Sequence, residues 1–159
     1  MKRSSLAQIA GLLALYCAST SVHAVTTCTV SATSVAFGVY NPASATPTDS
    51  TGTITLSCTA SGFAVLPSIN IYGNAGGAGG NVSNRRMVSG ANTLSYQLYT
   101  NAVRNILWGD GTNGGFSIST SLSFTNSGSV SATVYGRIPA LQSALPGNYA
   151  DTITVTVNY

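Results

Sequence analysis

Beyond residue 25 the chain alternates apolar with hydroxyl-bearing side chains. Ile54, Leu56 and Cys58 alternate with threonines and a serine, and the same pattern recurs at 94–98 and 130–134. Because successive side chains of a β-strand point to opposite faces, each segment predicts a strand with one face in a core and one in water. No segment after residue 25 has the period of a helix. The pattern predicts an all-β fold, and several short strands favour an immunoglobulin-like β-sandwich.

The C-terminal segment carries the clearest alternation. Its apolar side chains are Ile153, Val155, Val157 and Tyr159, and threonines separate the first three. The sequence therefore predicts a strand from Thr152 to Tyr159 with these four side chains on one face.

The first residues predict a secretory leader. Lys2 and Arg3 precede an apolar stretch at 6–18, and a small-residue cleavage site ends at Ala24. The apolar stretch is shorter than the ~20 residues of a membrane span, which disfavours an uncleaved anchor. We expect residues 1–24 to be a signal peptide and residues 25–159 to be one exported domain without a membrane span.

The expected mature chain is poor in groups that perform acid–base chemistry. It has no histidine, lysine or glutamate, and its aspartates are Asp49, Asp110 and Asp151. A Ser-His-Asp or Ser-Lys arrangement cannot be built from it, and nothing in the sequence pairs two aspartates as a glycosidase requires. The net charge falls from +3 to +1 once the leader is removed, too little for a nucleic-acid footprint. We expect no enzyme activity, no nucleic-acid partner and no cofactor.

The expected mature chain contains the cysteines Cys28 and Cys58. Export to an oxidising compartment favours a disulfide between them, which would contribute about 3.5 kcal/mol by constraining the unfolded chain. Two cysteines without histidines or neighbouring carboxylates cannot complete a tetrahedral shell, so we expect no metal site. A turn that starts at Asp110 misses the spacing of a calcium loop.

Three further features permit more than one interpretation. The glycine run at 73–80 lacks the lysine and the following helix of a phosphate loop, so it predicts a flexible loop. The arginines Arg85, Arg86 and Arg137 could bind an acidic ligand, but pairing with aspartates or shielding a sheet edge is the more common role. Apolar residues near turns could form an adhesive surface, although burial in the core is the favoured interpretation. The adhesive candidates are Phe63, Leu66, Leu107 and Trp108.

Eight ordered motifs between Cys28 and Tyr159 resemble the spore coat protein U domain, which is shared with pilins of archaic chaperone–usher pili. The motifs are Cys28-Thr-Val, Val35-Ala-Phe-Gly-Val-Tyr-Asn-Pro42, Cys58-Thr, Arg85-Arg-Met87, Leu94-Ser-Tyr-Gln-Leu-Tyr99, Trp108-Gly-Asp-Gly111, Val134-Tyr-Gly-Arg-Ile-Pro139 and Gly147-Asn-Tyr-Ala-Asp-Thr152.

The resemblance implies an incomplete sandwich that lacks its last strand. A periplasmic chaperone and later a neighbouring pilin subunit would supply that strand, and an outer-membrane usher would assemble the fibre. The predicted strand with Ile153, Val155, Val157 and Tyr159 would then be the surface that contacts the chaperone or donor strand. The alternative, an ordinary core strand, is compatible with that role.

Three functions remain open at this stage. The first is an adhesive pilus subunit that passes through the periplasm to the cell surface and supports biofilm formation. The second is a secreted coat or matrix protein, and the third, which the composition disfavours, is a hydrolase or lectin. After the predicted cleavage only Val25, Thr26 and Thr27 precede Cys28, and three residues span about 10 Å, a third of what a donated strand needs. This predicts a subunit that accepts a strand but donates none, at the tip of the fibre.

Overall fold

The computed structural model describes residues 26–159, so the predicted leader lies outside the described part of the chain. The strands in chain order are β1 (Thr26–Ala32), β2 (Thr48–Gly73), β3 (Arg85–Ser89), β4 (Asn92–Tyr99), β5 (Ile118–Ile138) and β6 (Val155–Asn158). No helix occurs between residues 26 and 159, and the all-β prediction is confirmed. This part of the chain therefore offers no apolar helix that could cross a membrane.

The long strands β2 and β5 organise the fold. They pair antiparallel along most of their length, and their register shifts after Thr59 and again after Leu66. Such irregularities bend a strand and increase its twist, so the sheet curls into half of a barrel. The strand order is β1-β2-β5-β4-β3, and β6 also pairs with β2. β1 pairs with residues 54–60 of β2, whereas β6 pairs with residues 70–73.

The hydrophobic core lies on the concave side of the curled sheet. The alternating segments of the sequence supply it, because their apolar positions all face inward while the threonines and serines face water. The buried apolar side chains include Ile54, Leu56, Cys58, Ile69, Ile71, Met87, Leu94, Tyr96, Leu98, Trp108, Phe124, Val134 and Ile138.

The disulfide joins the first two strands of the sheet. Cys28 of β1 lies directly opposite Cys58 of β2, and their sulfur atoms are 2.10 Å apart. Cys58 is buried and Cys28 packs against the core, so the bond ties the N-terminal strand to the centre of the molecule.

The C-terminal strand is shorter than the alternation predicts. β6 begins at Val155 rather than at Thr152. Residues 150–154 are extended, but their hydrogen bonds go to β3 and to the loop that follows β2 instead of to a regular ladder.

Candidate strand-binding groove

An open groove of about 460 Å³ leads from the surface into the hydrophobic core. Residues 32–37, which continue β1, form one wall, and residues 149–155, which lead into β6, form the other. The floor contains the core side chains Ile54, Met87, Tyr96, Leu98, Trp108 and Val134. The groove therefore runs along the core between the two walls, above floor side chains that are themselves buried.

The N-terminal wall is held by close packing against two glycines, Gly52 of β2 and Gly136 of β5. A side chain at Gly136 would place its Cβ 2.5 Å from Val35 and 2.7 Å from Phe37. The Phe37 ring also meets Tyr96 of the floor edge-on, with ring centroids 6.1 Å apart. Glycine at position 136 is thus what lets this wall lie against β5.

The backbone of the C-terminal wall makes hydrogen bonds on one side only, to β3 and to the loop that follows β2. The amide and carbonyl of Ala150 bond to Val88, and the carbonyls of Thr152 and Thr154 accept hydrogen bonds from the loop that follows β2. Since the backbone groups of successive residues in an extended strand point to opposite sides, those of Ile153, Val155 and Val157 face the other way, toward the groove. Within residues 26–159 no strand pairs with that edge.

Asp151 connects this wall to the floor and to the glycine loop. Its Oδ1 accepts hydrogen bonds from the amides of Gly77 (2.8 Å), Ala78 (3.2 Å) and Thr152 (2.8 Å). Its Oδ2 accepts one from the Tyr96 hydroxyl at 2.6 Å. Burial and this bond raise the pKa of Tyr96 well above its usual range. The glycine run, predicted to be a flexible loop, is therefore fixed around a carboxylate of the same chain.

Arg85 holds the same loop from its other side. The guanidinium is fully buried and donates to the carbonyl oxygens of Asn74 (2.7 Å), Val82 (3.1 Å) and Gly73 (3.4 Å). Burial lowers its pKa. The expectation that this arginine pairs with an aspartate or shields an edge is wrong. Its side chain lies in the interior, where hydrogen bonds to peptide carbonyls stabilise the charge.

The other aspartates also have partners. Asp49 accepts two hydrogen bonds from Arg137, at 2.7 and 2.8 Å, which lower the pKa of the carboxyl, and Arg104 lies 3.3 Å away. Asp110 caps its own turn through the amide and hydroxyl of Thr112. No cluster of three metal-ligating side chains occurs among residues 26–159.

The structure separates the residues that the sequence singled out for contacts. Ile153, Val155 and Val157 are half-buried and pack against the core, whereas Tyr159 is exposed. Ile153 and Val155 line the groove, and so does Trp108, from the floor.

Of the four adhesive candidates, only Phe63 is well exposed, at 67%. Trp108 is 1% exposed and donates its indole N–H to the carbonyl of Ile71 at 2.9 Å. A buried indole cannot contact an external surface, so Trp108 leaves the candidate set and belongs to the core. Leu66 and Leu107 are half-buried, and Leu66 packs against the core.

Sequence reasoning did not single out Asp151 and Tyr96 as partners. Both lie in motifs that carry the family resemblance. Successive amides of a glycine-rich loop can bind an anion, so the glycine run was the feature from which a carboxylate partner could have been found. The run lacks the lysine and the helix of a phosphate loop, and the anion that it binds is a carboxylate of the same chain.

Comparison with known proteins agrees with this architecture. Residues 14–156 match the Spore Coat Protein U domain. The chain belongs to this family. Among curated relatives, Protein U of Myxococcus xanthus is 36% identical over 131 residues, which cover 77% of this chain and 70% of that protein. The suspected resemblance to the spore coat protein U domain is confirmed.

A solved structure shares the fold of this spore coat protein U domain. It is the pre-assembly complex of the chaperone CsuC and the tip adhesion subunit CsuE from archaic chaperone–usher Csu pili of Acinetobacter baumannii. The TM-score is 0.55 at 22% identity, over 85% of this chain and 40% of the matched chain. The likeness confirms the predicted fold class, an incomplete immunoglobulin-like β-sandwich.

Proposed function

We propose that this protein is a structural subunit of a surface fibre that a chaperone–usher system assembles by donor-strand complementation. The observation that carries the proposal is the groove, whose floor is the hydrophobic core and whose C-terminal wall presents an unpaired strand edge. A donated strand would fill this groove and pair with this edge at the same time.

A strand in this position would satisfy two requirements together. Its backbone would pair with the edge formed by Ile153, Val155 and Val157, and its alternate apolar side chains would reach the floor. The walls are about six or seven residues long, or roughly 20 Å, which is the length of an ordinary strand. The groove is thus long enough for one strand.

The partners follow from the same proposal. A periplasmic chaperone would occupy the groove first, a neighbouring subunit would replace it, and an outer-membrane usher would mediate the exchange. The CsuC–CsuE complex supports the proposal, since a protein of this fold occurs there with its chaperone. Export to the cell surface is part of the proposal and depends on the leader predicted at residues 1–24.

A photo-crosslinking experiment tests the proposal. A benzophenone side chain at Ser34, an exposed residue of the groove wall, should crosslink to an immunoglobulin-like chaperone in periplasm of the native host, identified by peptide mass spectrometry. The matched control is Ser131, an equally small and exposed residue of β5 outside the groove, where no such adduct is expected. Equal adducts at both positions, or none at Ser34 in folded protein, would refute strand acceptance.

The position in the fibre that we propose is terminal. Thr26 and Thr27 are already paired with Ala60 and Thr59 in the sheet, so cleavage after Ala24 would leave no free segment to donate. Phe63, with its exposed neighbour Val65, is the remaining candidate for contact with a surface in adhesion and biofilm formation. Immunogold labelling should place the protein at fibre ends, and label along whole shafts would contradict the terminal position.

A coat or matrix protein is the second candidate function. The identity to Protein U, at 36%, exceeds that to the Csu structure, at 22%, and favours this alternative. It predicts a continuous surface layer without fibres in the same immunogold images.

An enzymatic role receives no support from the described residues. The carboxylates of residues 26–159 are all engaged, Asp49 with arginines, Asp110 in its turn and Asp151 in the glycine loop.

A further inference from the structure

We propose that Asp151 is a positioning residue that holds the C-terminal wall of the groove open before a strand arrives. The inference rests on the proposed strand-accepting function and adds to it how the empty groove keeps its width. The carboxylate accepts four hydrogen bonds. They come from the Tyr96 hydroxyl of β4, from the amides of Gly77 and Ala78 in the glycine loop, and from the amide of the neighbouring Thr152. It therefore joins the C-terminal wall to Tyr96 of the floor and to the glycine loop.

The glycine loop is itself anchored, so it can serve as a support. Its carbonyls at Gly73 and Asn74 accept hydrogen bonds from the buried Arg85, and its amides at Gly77 and Ala78 donate to Asp151. The peptide groups of the loop thus lie between a cation and an anion and are polarised by both. Loop, β3 and wall form one hydrogen-bonded unit.

Gly76 makes room for the carboxylate. It has a φ of +99°, and a Cβ at this position would overlap the Oδ2 atom of Asp151. Gly76 does not line the groove. A substitution there would displace the carboxylate without placing a new side chain in the groove.

The reason for a support is that an empty groove tends to close. Ile153 and Val155 are only half-buried and line the groove together with Val35 and Phe37 of the other wall, which are half-buried too. Moving the wall inward would bury more of this apolar surface, which is favourable. The bonds of Asp151 oppose that movement, because a carboxylate that leaves the loop amides of Gly77 and Ala78 forfeits charge-assisted hydrogen bonds.

The experiment measures the width of the groove in the purified mature chain. Spin labels at the exposed residues Ser34 and Thr154 report the distance between the walls, and amide hydrogen exchange reports the bonds at Gly77 and Ala78. Wild type should give one narrow distance distribution. Asp151→Ala should broaden and shorten it and speed exchange at both amides at least about tenfold. Asp151→Asn, which keeps the acceptor oxygen, should fall in between.

Further variants keep the inference testable. Asp110→Ala is the matched control and should leave the distance and exchange unchanged, because that carboxylate accepts its hydrogen bonds from Thr112 and none from the glycine loop or the wall. Gly76→Ala should reproduce the effect of Asp151→Ala from outside the groove. If Asp151→Ala fails to accumulate, Tyr96→Phe, which keeps the ring and loses one bond to Asp151, replaces it.

A wild-type distance distribution in Gly76→Ala and in either Asp151→Ala or Tyr96→Phe would overturn the inference. The outcome is separable from that of the proposed function. If wild type gives no chaperone adduct at Ser34 while Asp151→Ala loosens the wall, strand acceptance fails and the support stands. If Asp151→Ala loosens the wall but forms the adduct at the wild-type level, the support stands and strand acceptance does not depend on it.

Discussion

Replacing Val155 and Val157 together by aspartate is expected to abolish accumulation of the protein in the periplasm. Both side chains pack against the core, and β6 holds them there by pairing with β2. Transfer of each new carboxylate into this surrounding costs several kcal/mol, against a total stability of about 5–15 kcal/mol. The same charges would lose their hydration under an apolar donor strand, which disfavours binding of that strand. Immunoblots of periplasmic extracts should show at least about a tenfold loss.

Thr154 and Thr156 provide the matched control for that double substitution. They lie on the same segment with exposed side chains, so Thr154→Asp with Thr156→Asp adds the same charge on the water-facing side. This variant should accumulate close to the wild-type level. Normal accumulation of the Val155→Asp, Val157→Asp protein would show that the inward face is not needed for folding or for chaperone binding.

The strands were predictable because their chemistry is local. At 53–59 the side chains alternate residue by residue, and these positions lie in β2 with the apolar ones buried. The extent of β2 was not predictable in the same way. Glycine and proline commonly weaken or end a strand, yet β2 continues past Gly62 and Pro67, because register shifts there let the paired strands bend.

The groove could be anticipated from the family resemblance but not from the pattern of residues. Val35 and Phe37 reach their place only because Gly136, a hundred residues later, has no side chain. The bond between Tyr96 and Asp151 spans 55 positions of the chain. Contacts of this range depend on the completed fold, and no local periodicity encodes them.

Trp108 illustrates the same limit at a single residue. In the sequence it lies beside a Gly-Asp-Gly turn, so a loop tip stayed open beside the favoured burial in the core. In the structure its ring packs against Gly73, where a Cβ would lie 2.6 Å from the indole. The space that buries the tryptophan is supplied by a glycine of another strand.

The central claim is that the fold lacks one strand and gains stability when it receives one. A tethered strand tests it: a copy of the segment Thr152–Asn158 is appended after Tyr159 through an Asn-Gly turn, so that it can run back along the free edge of β6. Its three apolar side chains would cover the floor of the groove, each contributing about 1.5 kcal/mol or more.

The measurement is the thermal unfolding midpoint of this extended protein beside a control whose appended segment has the same residues in an order without alternation. We predict a rise of at least about 10 °C for the alternating segment and little change for the control. Amides of Ile153, Val155 and Val157 should become protected from exchange only in the former. Equal midpoints for both proteins and the unextended chain, with no new protection along that edge, would contradict the claim that this groove accepts a strand.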